Sequence, residues 1–131
     1  AAPAPSYAPV SSRDFLTQSA RAVEKLHEQS MDLTRAAGAE IPDIVWKKYH
    51  AGDVSIFSKW LAKMLNAADK KQIRELLKSD SVFRSQAAQF TRSFAKILSA
   101  AVQTDAPDET RASLLKTDLG QIYTALRGNN V

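Results

Sequence analysis

Glu24 and His27 stand three residues apart, the spacing with which a helix sets a carboxylate and an imidazole on one face, as in carboxylate-bridged metal bundles. A di-metal centre of that kind takes two such pairs and two further carboxylates. The only other histidine, His50, has Lys47 rather than an acid three positions before it. His27 also falls one turn from Val23 and from Met31, at the edge of an apolar stripe. The sequence therefore reads it as a packed core-edge side chain and predicts no metal site and no cofactor.

Nucleophilic chemistry has no better footing. No serine sits in a Gly-x-Ser-x-Gly turn, and neither a zinc-protease motif nor a glycine-rich phosphate loop occurs. The paired acids Asp108 and Glu109 follow Pro107 at a helix start, where the backbone dipole already accounts for them. No catalytic residue is assigned, and a non-enzymatic function is expected. The chain holds no cysteine, which excludes disulfides and thiolate metal sites from it.

Charge says more. The net charge is +4, but it is regional: Lys47 through Lys96 carries eleven Lys and Arg against four acids, about +7, while the remainder carries seven against ten, about −3. At 100° per residue Lys70, Lys71, Arg74 and Lys78 share one stripe, and Lys59 and Lys63 share another. Arg84, Arg92 and Lys96 lie off the apolar seam of the helix that follows. If these faces adjoin they form one basic surface, suited to an acidic protein partner or an anionic membrane surface. Nucleic acid is the rival ligand for the same residues. It is disfavoured because no helix shows a dense Arg/Asn/Gln reading face, and the aromatics fall at core spacing instead of alternating with the charges. A second candidate is apolar: Val45, Trp46 and Tyr49 crowd a short helix, and whatever part of them stays outside would dock a partner helix or peptide. Core burial is the preferred reading of all three.

The elements that position these residues follow from hydrophobic periodicity. Between Ser81 and Gln103, Phe83, Ala87, Phe90, Phe94, Ile97, Leu98 and Ala101 fall on one narrow face, which predicts a long amphipathic helix with an aromatic seam. Ahead of it, a long helix is predicted from Ser11 or Ser12 to Gly38, with Phe15, Ala22, Leu26 and Leu33 inward and Leu16, Val23 and Met31 widening the stripe. Asp43 to His50, opened by Pro42 and closed by Gly52, is a short helix whose Ile44, Val45, Trp46 and Tyr49 are too apolar to be left in water. Asp53 or Ser55 caps a helix with Ile56, Phe57, Trp60, Leu61, Met64 and Leu65 inward, before a turn at Asn66 to Asp69. Asp69 and Gln72 form a capping box for a helix to Lys78 that buries Ile73, Leu76 and Leu77. Asp80 or Ser79 caps the central helix.

After a break at Thr104-Asp105-Ala106-Pro107, one helix leads to Leu114 and Leu115. A last helix from Thr117 or Asp118 carries Leu119, Ile122, Tyr123 and Leu126 inward and stops at Gly128. Gly120 in its interior implies either a close approach to a neighbour or a break.

The expectation is therefore an all-α, single-domain bundle of six or seven helices around a central amphipathic helix at about 81–103. Residues 11–131 form the bundle, and 1–10 form a Pro/Ala-rich disordered arm or linker. No stretch reaches the roughly 18 apolar residues of a membrane-spanning helix. The Ala/Pro-rich opening reads as an inter-domain linker in preference to the end left by signal-peptide cleavage, which favours a cytoplasmic over a secreted or periplasmic setting. The function that fits is a protein-interaction, scaffold or adaptor domain tethered to another module.

Overall fold

Asp80 starts the central helix. Its carboxylate accepts from the backbone N–H of Val82 and of Phe83, both at 3.0 Å, so two of the orphan donors of the first turn are satisfied together. The helix runs from Ser81 to Ala101, and all seven residues of the predicted seam are buried. Phe83, Phe90 and Phe94 lose essentially all contact with water, each contributing about 1.5–3 kcal/mol.

The computed structural model describes residues 11–38 and 40–127, so the arm expected over 1–10 and the stop expected at Gly128 lie outside the described residues. Within them the chain forms eight helices and no strand: α1 (Ser12–Gln18), α2 (Ala20–Ala36), α3 (Asp43–His50), α4 (Ile56–Ala67), α5 (Lys70–Ser79), α6 (Ser81–Ala101), α7 (Pro107–Lys116) and α8 (Asp118–Arg127). The first expected helix is one rod with a break at Ser19. Ser19 N–H still donates to the Phe15 carbonyl, and the Ser19 carbonyl still accepts from Val23, both at 2.9 Å. Taken as one, α1 and α2 bring the bundle to seven helices.

Helices α2, α4, α8 and α6 make a four-cornered bundle in which each packs on the next and α6 closes on α2. The central helix therefore has α2 and α8 as flanking neighbours, with α5 and α7 also packed on it, and α4 stands at the opposite corner. Leu61 and Leu65 of α4 share one continuous core with the α6 seam.

Two expected core stripes change in detail. Leu16 is 57% exposed and Ala22 is also outside; burial along α2 begins at Leu26 and continues through Gln29, Ser30, Leu33 and Thr34. Polar side chains fill this inner face because two of them are satisfied within the helix: Ser30 Oγ donates to the Leu26 carbonyl at 2.9 Å and Thr34 Oγ1 to the Ser30 carbonyl at 2.8 Å. Their small volume and internal bonds make burial cheap where two helices meet closely.

At the C-terminal end, Gly120 fits tightly. A Cβ there would lie 2.3 Å from the Leu114 carbonyl oxygen and 2.5 Å from Leu115 Cα, so α7 and α8 approach at a distance only glycine permits. The Gly120 N–H donates to Thr117 Oγ1 at 3.1 Å, and that hydroxyl donates to the Leu114 carbonyl at 2.6 Å. One glycine and one threonine thus set the hairpin.

Candidate functional site

Each of the nine predicted basic residues, Lys59, Lys63, Lys70, Lys71, Arg74, Lys78, Arg84, Arg92 and Lys96, is exposed. They do not share one face. Lys59 and Lys63 ride on α4, whereas Arg84, Arg92 and Lys96 ride on α6 at the opposite corner of the bundle; Lys71, Arg74 and Lys78 ride on α5, which packs on α6. Side chains that leave opposite corners outward point away from each other.

What the structure does bring together is a smaller set along α4. A trough of ≈ 540 Å³ lies between α3, α4 and α8, lined by Ile44, Val45, Lys48, Ile56, Lys59, Trp60, Ala62, Lys63, Asp118 and Gln121. A second, of ≈ 500 Å³, continues between the end of α4, the start of α5, α7 and α8, lined by Leu65, Asn66, Ala68, Lys70, Ile73, Leu115, Gln121, Thr124 and Ala125. Gln121 is common to both. Its Oε1 accepts from Asn66 Nδ2 at 2.9 Å, and its Nε2 donates to the Lys116 carbonyl at 3.3 Å, which fixes the joint between the two troughs.

Their apolar content comes from residues the sequence placed inside. Ile44 is 57% exposed, a correction to its expected burial; Leu115 is 37% exposed, and Trp60, expected inward, is half-buried. The reason is geometric. Helix α3 has only eight residues and packs Trp46 and Tyr49 on Phe57 of α4, which leaves Ile44 exposed at the edge of the trough. Leu115 follows Leu114 at 100° around the helix, and on α7, which packs on α6 and α8, Leu114 takes the buried position while Leu115 falls at its edge.

Lys48, absent from the expected basic set, belongs to this surface together with Lys59, Lys63 and Lys70. Lys48 carries no sequence signal of its own beyond the excess of positive charge in its segment. Asp118 is the one carboxylate among the residues lining the two troughs. Lys59 also lies 4.0 Å from Asp53. The Asp53 carboxylate accepts from the Ser55 hydroxyl at 2.8 Å and from the Ser55 N–H at 3.2 Å, and these hydrogen bonds, with Lys59 nearby, hold it below its ordinary range.

The expected apolar patch is mostly spent within the molecule. Val45 is buried, and Trp46 and Tyr49 are half-buried against the enclosed Phe57, with ring centroids 5.1 Å and 5.4 Å from it. His50 stacks on Trp46 at 6.1 Å, and the Arg35 guanidinium lies 5.5 Å from the centroid of the Trp46 ring.

Glu24 and His27 do line one hollow, of ≈ 300 Å³, with Glu28, Met31, Tyr49 and Val54. The imidazole is engaged on the core side, where Nδ1 lies 2.6 Å from the hydroxyl of the fully buried Ser58. Burial pushes the His27 pKa down; Asp118 and Asp53 oppose this and Lys59 adds to it. Among the described residues no group of three or more His, Asp or Glu side chains converges as a metal site requires. Among them, too, no helix is long and apolar enough to cross a membrane.

No family model, no curated protein and no solved structure matches this chain.

Proposed function

We propose that this chain is a non-enzymatic helical interaction domain that binds an acidic protein partner on the α4 side of the bundle. The observation that carries this reading is the juxtaposition of Lys48, Lys59, Lys63 and Lys70 around two troughs that hold a single carboxylate, Asp118. Opposed potentials steer a partner to the face and fix its register, and the apolar floor supplies the area that surface ion pairs lack. Nucleic acid is the less suitable ligand. Phosphates would reach the lysines but leave Ile44, Trp60 and Leu115 uncovered, and no reading face accompanies them.

Fluorescence anisotropy with labelled poly-L-glutamate and, separately, a labelled DNA duplex tests the reading. The unaltered protein is expected to bind the acidic polypeptide more tightly than the duplex at equal salt. Reversal of Lys59, Lys63 and Lys70 to Glu weakens that binding at least tenfold, whereas reversal of Arg92 and Lys96, on the opposite corner, leaves it within twofold. Equal loss from both sets, or preference for the duplex, would refute the assignment.

A further inference from the structure

We infer that the two troughs are one groove and that its occupant is an acidic amphipathic helix, laid along the seam between α4 and α8. This rests on the reading that an acidic partner uses this side of the bundle, and it adds the partner's conformation and pattern.

Continuity comes from Gln121, which borders both hollows and is held there by Asn66 at 2.9 Å. Along the groove three apolar seats stand at least partly open: Ile44 at the α3 end, Trp60 in the middle and Leu115 at the α7 end. Helix α4 alone has 12 residues, about 18 Å of axis, and the groove continues past its end to Lys70. An occupant of about 15 helical residues would span it. Four lysines border the groove against one carboxylate, so the flanks of the occupant must be acidic.

Conformation follows from what the walls lack. Both are helices whose backbone groups are already paired internally, so the groove offers no strand edge to an incoming segment. An extended peptide would leave its own N–H and C=O groups unpaired against side chains. A helix brings them satisfied, and the furrow between two adjacent helices is where the ridges of a third pack. Exposed ion pairs add little individually, so the apolar anchors carry most of the affinity and the lysines choose orientation.

The test uses the full chain with Trp46→Phe, which leaves Trp60 as the reporter, and two peptides of about 15 residues with identical Leu, Glu and Ala content. In one, Leu recurs at every third and fourth position so that a helix has one apolar face; in the other, the order is scrambled. The patterned peptide is expected to shift Trp60 emission, to gain helical circular dichroism on binding and to bind at least tenfold more tightly than the scramble. Ile44→Ser, which removes an exposed apolar seat without adding charge, is expected to abolish that tenfold preference. Equal binding of both peptides overturns the helical occupant while the acidic-partner reading stands. Failure of both peptides together with poly-L-glutamate overturns both. Concentration-dependent self-association that shifts Trp60 emission and is untouched by the patterned peptide assigns the groove to a second copy of the chain, and equally overturns the proposal.

Discussion

Replacing Gly120 by alanine separates two effects of opposite sign. Taken alone, Gly→Ala inside a helix stabilises by about 1 kcal/mol through helix propensity. Gly120 is a helix-interior residue of α8, so a purely local view predicts a gain. The structure predicts the reverse. The added methyl would stand 2.3 Å from the Leu114 oxygen, 2.5 Å from Leu115 Cα and 2.6 Å from the Leu115 oxygen, all of them backbone atoms that no rotamer change can move. To restore ordinary van der Waals separation, α7 must retreat by roughly 1 Å along the whole contact. Overpacking costs about 1–3 kcal/mol where side chains can yield, and more where the backbone must shift, so the net is a loss of about 2 kcal/mol after the propensity gain. In a domain of this size that is a fall in Tm of roughly 6–10 °C. Urea and thermal unfolding followed by far-ultraviolet circular dichroism measure it, with the m value confirming that the transition is unchanged in kind. A variant as stable as the parent, or more stable, would refute the close approach of α7 and α8 and with it the position of Leu115 on the groove.

Two further outcomes follow from buried polar groups. His27 is held below its ordinary pKa of 6.5, chiefly by burial, so the unfolded chain takes up this proton more readily than the folded one. The stability it supports is complete above that value and is lost as pH falls toward the lowered one. Unfolding midpoints between pH 7.5 and pH 5, a range chosen to bracket the imidazole titration on its acid side, should decline more in the parent than in His27→Gln; parallel declines would refute the assignment. Gln29 is 8% exposed, and its Oε1 has no hydrogen-bond partner while its Nε2 reaches Ser93 Oγ only at 3.5 Å. Gln29→Leu should therefore leave stability unchanged or raise it by about 1 kcal/mol in denaturant titration, since it removes an unpaired buried acceptor and half-buried Ser93 can turn to water. A loss above about 1 kcal/mol would show that the amide holds α2 on α6.

The elements that were legible in the sequence are those where period and punctuation agree. The seam of α6 repeats at helical spacing with an acid placed to cap it, and the structure buries all of it. The capping box of α5 forms in both directions, Gln72 N–H to Asp69 at 2.8 Å and Asp69 N–H to Gln72 Oε1 at 3.1 Å. Gly38 and Gly52 take positive φ after α2 and α3, as stops there require. What escaped is what hydropathy does not encode. Ser30 and Thr34 are polar by type, yet their hydroxyls are consumed by carbonyls of their own helix, so they pack as small side chains. Ile44 and Leu115 are apolar by type, yet each helix presents its neighbour, Val45 or Leu114, to the core.

The candidate surface was legible helix by helix but not as a whole, because angular spacing gives the stripe on a helix and says nothing about which stripes adjoin. The chain passes from α4 through α5 into α6, and those steps carry it to the opposite corner of the bundle. The segment with a charge of about +7 is continuous in sequence and divided in space. Helix axes in contact lie about 8–10 Å apart, so the diagonal from α4 to α6 is roughly 13 Å, and outward-pointing side chains add several ångströms at each end. That exceeds the screening length of about 8 Å at physiological salt. Arg92 and Lys96 therefore contribute little to the field felt by a ligand on α4, and the relevant charge there is that of Lys48, Lys59, Lys63 and Lys70 less Asp118 and Asp53, which lies 4.0 Å from Lys59. A charge count along a chain becomes a statement about binding only after the packing order of its helices is known.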